Sequence, residues 1–219
     1  MKNRNFRTLK NLGQRQAGYT LVELAITVSI IAVLIVGTLT GVQRLLRSNN
    51  ANNTLTQTQV AVTNIARVVA TGTKSVYGTS ALDGTSVLAA LGVWDSSAVT
   101  DTNGVKTVVS PFAGNITVSP NAAQIGTGAN SALANTGYWY RIAGVPEDIC
   151  PALASSFVST AAGIYVENAA PASANLSGTP VLASAYKTPG VKALDTAQLA
   201  KTCAGNASGT VQIALFILT

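Results

Sequence analysis

Twenty uncharged and mostly apolar residues, Leu24 to Gln43, lie between Glu23 and Arg44. At about 1.5 Å each they make roughly 30 Å of helix, the thickness of a bilayer core. From Arg44 to about Thr71 the pattern narrows to one apolar stripe, Leu55, Val62, Ile65, Ala66 and Val69, at helical spacing. Together the two stretches predict one long helix over about 19–72, with Gly72 as its stop. A short helix is expected at Ser86–Leu91, and strands at Val105–Val109, Ile116–Ser119, Tyr138–Ala143, Gly163–Val166 and Val211–Leu218. The last is apolar on both faces, as a buried central strand is. Pro146–Phe157 and Thr196–Cys203 read as helices; Pro151 limits the first to about two turns, and Asp195 with Gln198 marks the start of the second. The order is that of an α+β protein, a long N-terminal helix on an antiparallel sheet.

Charge orients the apolar run. Lys2, Arg4, Arg7, Lys10 and Arg15 precede it with no acid among them, against Arg44 and Arg47 beyond it. That asymmetry keeps the N-terminus cytoplasmic and exports the rest. A secretory signal has a shorter apolar region and a small-residue cleavage site, neither of which fits. A plain single-span anchor accounts for length and orientation but leaves Glu23 unexplained. A carboxylate within a membrane segment costs about 2.5–3.5 kcal/mol at mid-bilayer, less near the interface, and marks a functional candidate.

Setting the five leader charges aside leaves nine Lys and Arg against eight Asp and Glu, a net of +1 where the whole chain carries +6. The remaining bases are scattered, a solvated face is the expected use of each, and no nucleic-acid partner is implied. With 47% apolar residues the chain is not disordered, and the roughly 150 residues after the helix make one domain. Cys150 and Cys203 fall on the exported side, where a disulfide is expected, closing a loop of about 54 residues. Two separate buried thiols are the alternative. A catalytic cysteine or a hydrolytic triad is disfavoured because the chain has no His.

The other chemistry-bearing residues have plainer uses. Glu147 and Asp148 suit a helix start, and Asp83, Asp95 and Glu167 are isolated. Asp101-Thr-Asn103-Gly104 lacks the spacing of a calcium loop and reads as a tight turn. Gly126-Thr-Gly128 lacks the context of a phosphate loop. Trp94, Tyr138, Trp139 and Tyr140 could form a sugar platform, though core or subunit contacts are the expected use. No cofactor and no metal are expected, and no enzyme.

The basic leader, Gly18, Tyr19 and Thr20-Leu21-Val22-Glu23 before an apolar helix resemble the prepilin signature of type IV pilins. The resemblance implies cleavage between Gly18 and Tyr19 by a prepilin peptidase, N-methylation of Tyr19, and a role for Glu23 in assembly. Residues 1–18 would then be the removed leader, 19–43 the membrane and filament-core half of the helix, 44–72 its amphipathic half, and 73–219 the head. Ser110-Pro111-Phe112-Ala113-Gly114, the long leader, Tyr19 in place of Phe, and the late cysteine-bearing helices resemble the type IVb branch, which includes toxin-coregulated, bundle-forming and plasmid thin-pilus subunits. There the region 150–203 would be the disulfide-bracketed, filament-exposed part. By resemblance the partners are other copies of the chain, the peptidase, the assembly machinery and the inner membrane. The function would be that of a major pilin in an extracellular pilus for adhesion, aggregation or conjugative contact. A minor or tip pilin, a secretion-system pseudopilin and a membrane-tethered ligand-binding domain are the alternatives.

Overall fold

The computed structural model describes residues 19–71, 81–120, 136–168, 185–190, 195–204 and 209–219. The leader, Gly72 and the Gly126 loop lie outside them. The chain divides between Arg44 and Leu45 into two units. Helix α1, Leu21–Ala70, is continuous through Gly37, Gly41 and the Asn-rich stretch Ser48–Thr56.

In the second unit α1 is followed by α2 (Ala81–Ala90), β1 (Val99–Thr102), β2 (Val105–Val109), β3 (Asn115–Pro120), β4 (Gly137–Pro146), α3 (Cys150–Ser156), β5 (Gly163–Asn168), β6 (Ala185–Lys187), α4 (Thr196–Ala204) and β7 (Thr210–Leu218). The strands form one antiparallel sheet in the order β1-β2-β3-β4-β7-β5-β6. The last strand thus sits between β4 and β5, and its side chains from Val211 to Ile217 are buried on both faces, as its apolar run, interrupted by Gln212, predicts.

Period-two alternation assigns the faces. Tyr138, Tyr140 and Ile142 of β4, with Ile213, Leu215 and Ile217 of β7, share a core with Ala61 and Ile65 of α1. The opposite face carries Trp139, Tyr165, Ala214 and Phe216, with Trp139 edge-on to Tyr165 at 5.3 Å. The fully buried residues of α1 are Thr54, Thr58, Ala61 and Ile65, whereas Ala66 is exposed. The expected stripe was therefore turned slightly on the helix: threonines fill the tight approach, and Thr54 returns its hydroxyl to Asn50 O at 2.8 Å.

Local chemistry explains the shorter elements. Asn103 and Gly104, both at positive φ, join β1 to β2 as a two-residue hairpin, and Asp101 accepts from Gly104 N and pairs with Lys106. At Ser110–Gly114 the turn presses Gly114 onto the Ala143–Gly144 bulge of β4, where a Cβ would lie 1.8 Å from Ala143 O. Only two residue pairs join β2 to β3, so Lys106 N and Val118 N donate instead to Ser86 Oγ and Thr85 Oγ1 of α2. That helix begins at Ala81 rather than Ser86.

Three expectations fail for tertiary reasons. Pro146 belongs to β4, held opposite Thr210, so α3 begins at Cys150 with Pro151 in its first turn. Arg141 is 1% exposed: its Nη1 donates to Ser119 Oγ at 2.7 Å, its guanidinium lies 5.6 Å from the Trp139 ring centroid, and burial pushes its pKa down to about 10. Lys187 donates to Val158 O and Ala161 O, both at 2.7 Å, tying β6 to the turn after α3. Neither cation belongs to a solvated face.

Burial holds the hydroxyls of Tyr140 and Tyr165 neutral, pushing both up to about 12 from an ordinary 10. The unfolded chain releases these protons near pH 10 while the folded chain keeps them, so stability is full below pH 10 and is lost as pH rises towards 12. Denaturant titrations of wild type and Tyr140→Phe should isolate a loss of about 2 kcal/mol at pH 11.5 that the variant lacks. Equal alkaline losses would show that Tyr140 ionises freely in the native state.

Candidate functional site

The beginning of α1 is fixed by a cap. Thr20 Oγ1 accepts from Glu23 N at 3.2 Å and Thr20 O from Leu24 N at 3.1 Å, so Leu21 opens the helix and Glu23 occupies its third position. Threonine followed three residues later by glutamate is a capping-box pattern, a second use of these residues beside the signature they belong to. A carboxylate in the first turn also suits the helix dipole. The cap presents Glu23 at a defined place, one turn from Tyr19. Gly18 lies outside the described residues.

From Tyr19 to Val42 every large apolar side chain is at least 51% exposed. Polar atoms along the same stretch are turned inward. Thr27 and Ser29 donate to Leu24 O and Ile26 O at 2.8 and 2.7 Å, Thr38 to Ile35 O and Thr40 to Gly37 O at 2.9 Å each. With the backbone already bonded within the helix, these side chains present little unmet polarity to an apolar surround. Gly37 and Gly41 have nothing within 4 Å of an added Cβ, so a partner could approach the backbone closely there. Glu23 is the one charge from Tyr19 through Gln43. It makes no ion pair with a described residue. The first half of α1 is an apolar rod with one acid at its start, suited to lipid or to the rods of other copies.

The two cysteines are joined. Cys150, which opens α3, and Cys203 in α4 form a disulfide with Cα atoms 5.8 Å apart, and both are buried. Asp195 Oδ1 accepts from Gln198 N at 2.8 Å, capping α4 as expected. The bracket encloses α3, β5, β6 and α4. Glu147 and Asp148 lie in the turn before α3, and Asp148 pairs with Arg47 of α1 at 2.7 Å. Both side chains are about half exposed, 48% and 50%, so the pair contributes at most about 1 kcal/mol and serves mainly to orient the turn. Trp94, Tyr138, Trp139 and Tyr140 are buried, and Trp94 Nε1 donates to Tyr140 Oη at 3.2 Å; they are core, as expected, and not a sugar platform.

Residues 13–39 match the family model of the prokaryotic N-terminal methylation motif. No curated protein matches the sequence. Among solved structures, the chain is similar to the type IV b pilin of Salmonella typhi, with 17% identity over 77% of this chain and 99% of that one and a TM-score of 0.51. It is also similar to TcpA, a type IV pilin of Vibrio cholerae El Tor biotype, with 19% identity, 78% and 98% coverage and a TM-score of 0.48. The chain thus joins a prokaryotic N-terminal methylation motif to the fold of type IV pilins.

Proposed function

We propose that the chain is the major pilin of a type IVb pilus, held in the bacterial inner membrane as a precursor, trimmed, and polymerised into an extracellular filament. Cleavage falls between Gly18 and Tyr19, and the freed amine of Tyr19 is methylated. Adhesion, aggregation and conjugative contact are the roles that such a filament serves. The observation that carries the reading is the capped start of α1, which sets Glu23 at the head of an exposed rod otherwise free of charge.

A lone acid there is costly, and a paired one is tolerable. In a parallel bundle, the Tyr19 amine of one copy lies one helical turn, about 6 Å along the axis, from the level of its own Glu23. A neighbour staggered by about that distance brings its Glu23 to the amine, so one contact neutralises both charges and sets the register. Burial of the apolar rods supplies the larger part of the assembly free energy. The free head bears the disulfide-bracketed region 150–203.

Mass spectrometry of sheared filaments should find a chain beginning at N-methylated Tyr19 as the dominant protein. An uncleaved leader would favour a tethered domain instead, and a trace share of the filament a minor pilin.

A further inference from the structure

The hairpin between β1 and β2 carries a reactive step and a group placed to restrain it. Asn103-Gly104 is the one Asn-Gly step in the sequence, and both residues are exposed. Glycine has no side chain to shield its backbone nitrogen, which can therefore reach the preceding asparagine side chain. In that reaction the Gly104 nitrogen gives up its proton to water and bonds Asn103 Cγ. The Cγ–Nδ2 bond breaks, and the amide leaves as ammonia with a proton taken from solvent. Water then opens the cyclic imide at one carbonyl or the other, giving aspartate or isoaspartate; no oxidant or reductant takes part. Either product puts a new carboxylate beside Asp101, and isoaspartate adds a methylene to the backbone of a turn only two residues long.

The structure opposes the first of these events. Asn103 and Gly104, at φ 55° and 82°, are the two left-handed residues of the turn, and Thr102 pairs with Val105 to close the ladder. The Gly104 N–H lies outside that ladder. It donates instead to Asp101 Oδ1 at 3.0 Å, while Asp101 Oδ2 holds Lys106 Nζ at 2.9 Å. Lys106, and after it the Gly104 N–H, hold the Asp101 carboxyl below the usual range, so the acceptor is ionised at neutral pH. Lys106 is also the register partner of Asp101, which keeps the carboxylate over the turn. The proton that has to leave Gly104 N is thus engaged in a charge-assisted bond, roughly twice as strong as a neutral one. Deprotonation and attack both require that bond to break.

We propose that Asn103 is a deamidation site and that Asp101, held by Lys106, guards it by binding the N–H of the attacking nitrogen. The device lies within the Leu45–Thr219 unit and works whether or not the chain polymerises.

The full chain in detergent micelles, kept for weeks at neutral pH and body temperature and sampled by peptide-mapping mass spectrometry, should convert Asn103 at least about tenfold more slowly than the same chain in denaturant. Asp101→Ala should raise the folded rate about tenfold, the effect of one lost hydrogen bond to a charged group, with aspartate and isoaspartate both appearing at position 103 and circular dichroism unchanged. Thr107→Ala removes a different side-chain bond of the same hairpin, Thr107 Oγ1 to Thr100 O at 3.3 Å, without touching the turn, and should leave the rate as in wild type. Three results would overturn the proposal: equal rates in folded and denatured wild type, no acceleration by Asp101→Ala, or an acceleration by Thr107→Ala as large as that by Asp101→Ala, which would make looseness of the hairpin the cause.

Discussion

Glu23→Ala should yield a chain that is trimmed, methylated and held in the membrane, with no filaments at the cell surface. The substitution leaves the cap intact, because Thr20 accepts from the backbone N–H of residue 23, which alanine retains. It makes the rod more apolar, so membrane insertion and access to the peptidase persist. What it removes is the group proposed to pair with the neighbour's amine. Breaking one side of a buried ion pair costs about 3–5 kcal/mol, since the surviving charge stays buried. Each subunit contact would weaken roughly 10²- to 10⁴-fold. Repeated at every step, that loss prevents growth. Glu23→Gln should fail as well, because shape without charge does not neutralise the amine. Electron microscopy of sheared material, with an immunoblot of the membrane fraction, separates the outcomes; filaments of normal number and length from either variant would remove Glu23 from assembly.

Losing the disulfide should have the second largest effect. The bond closes a loop across 53 residues of sequence separation, and on the chain-entropy model it stabilises the fold by about 4 kcal/mol. Domains of this size have about 5–15 kcal/mol in all. The bond also ties α3 to α4 across β5 and β6, and β6 is three residues long and, among the described strands, pairs only with β5. The Cys150→Ser, Cys203→Ser double variant should melt about 8–16 °C below the oxidised wild type. Thermal unfolding of the full chain, with and without reductant, measures this. A midpoint unchanged by both treatments would mean that packing alone holds the region.

The parts legible in the sequence are those governed by strong local periodicity or by charge. The long helix follows from twenty uncharged residues and the stripe behind them, and the central place of β7 from apolar side chains on both of its faces. Glu23 stands out because a carboxylate beside such a run has no ordinary reason to be there. Elements with weak local signals were missed. Strand β1, Val-Thr-Asp-Thr, has three exposed residues and no apolar alternation, and β6 is short; pairing with neighbours makes both strands. The insertion of β7 between β4 and β5 is a long-range pairing that no window of sequence contains. Burial of Arg141 is not legible because its partner Ser119 is brought beside it by the pairing of β3 with β4; only Trp139, two residues earlier on β4, is a same-face neighbour that the sequence alone gives. The Thr20 cap has a local signal too, the Thr-x-x-Glu spacing of Thr20 and Glu23.

A density map of the assembled filament examines most directly the charge pair proposed for the start of α1. It should place each Glu23 carboxylate within about 4 Å of the methylated Tyr19 amine of an adjacent copy, inside the bundle of rods. A map in which Glu23 faces solvent or lipid, with no neighbouring amine in reach, would contradict it.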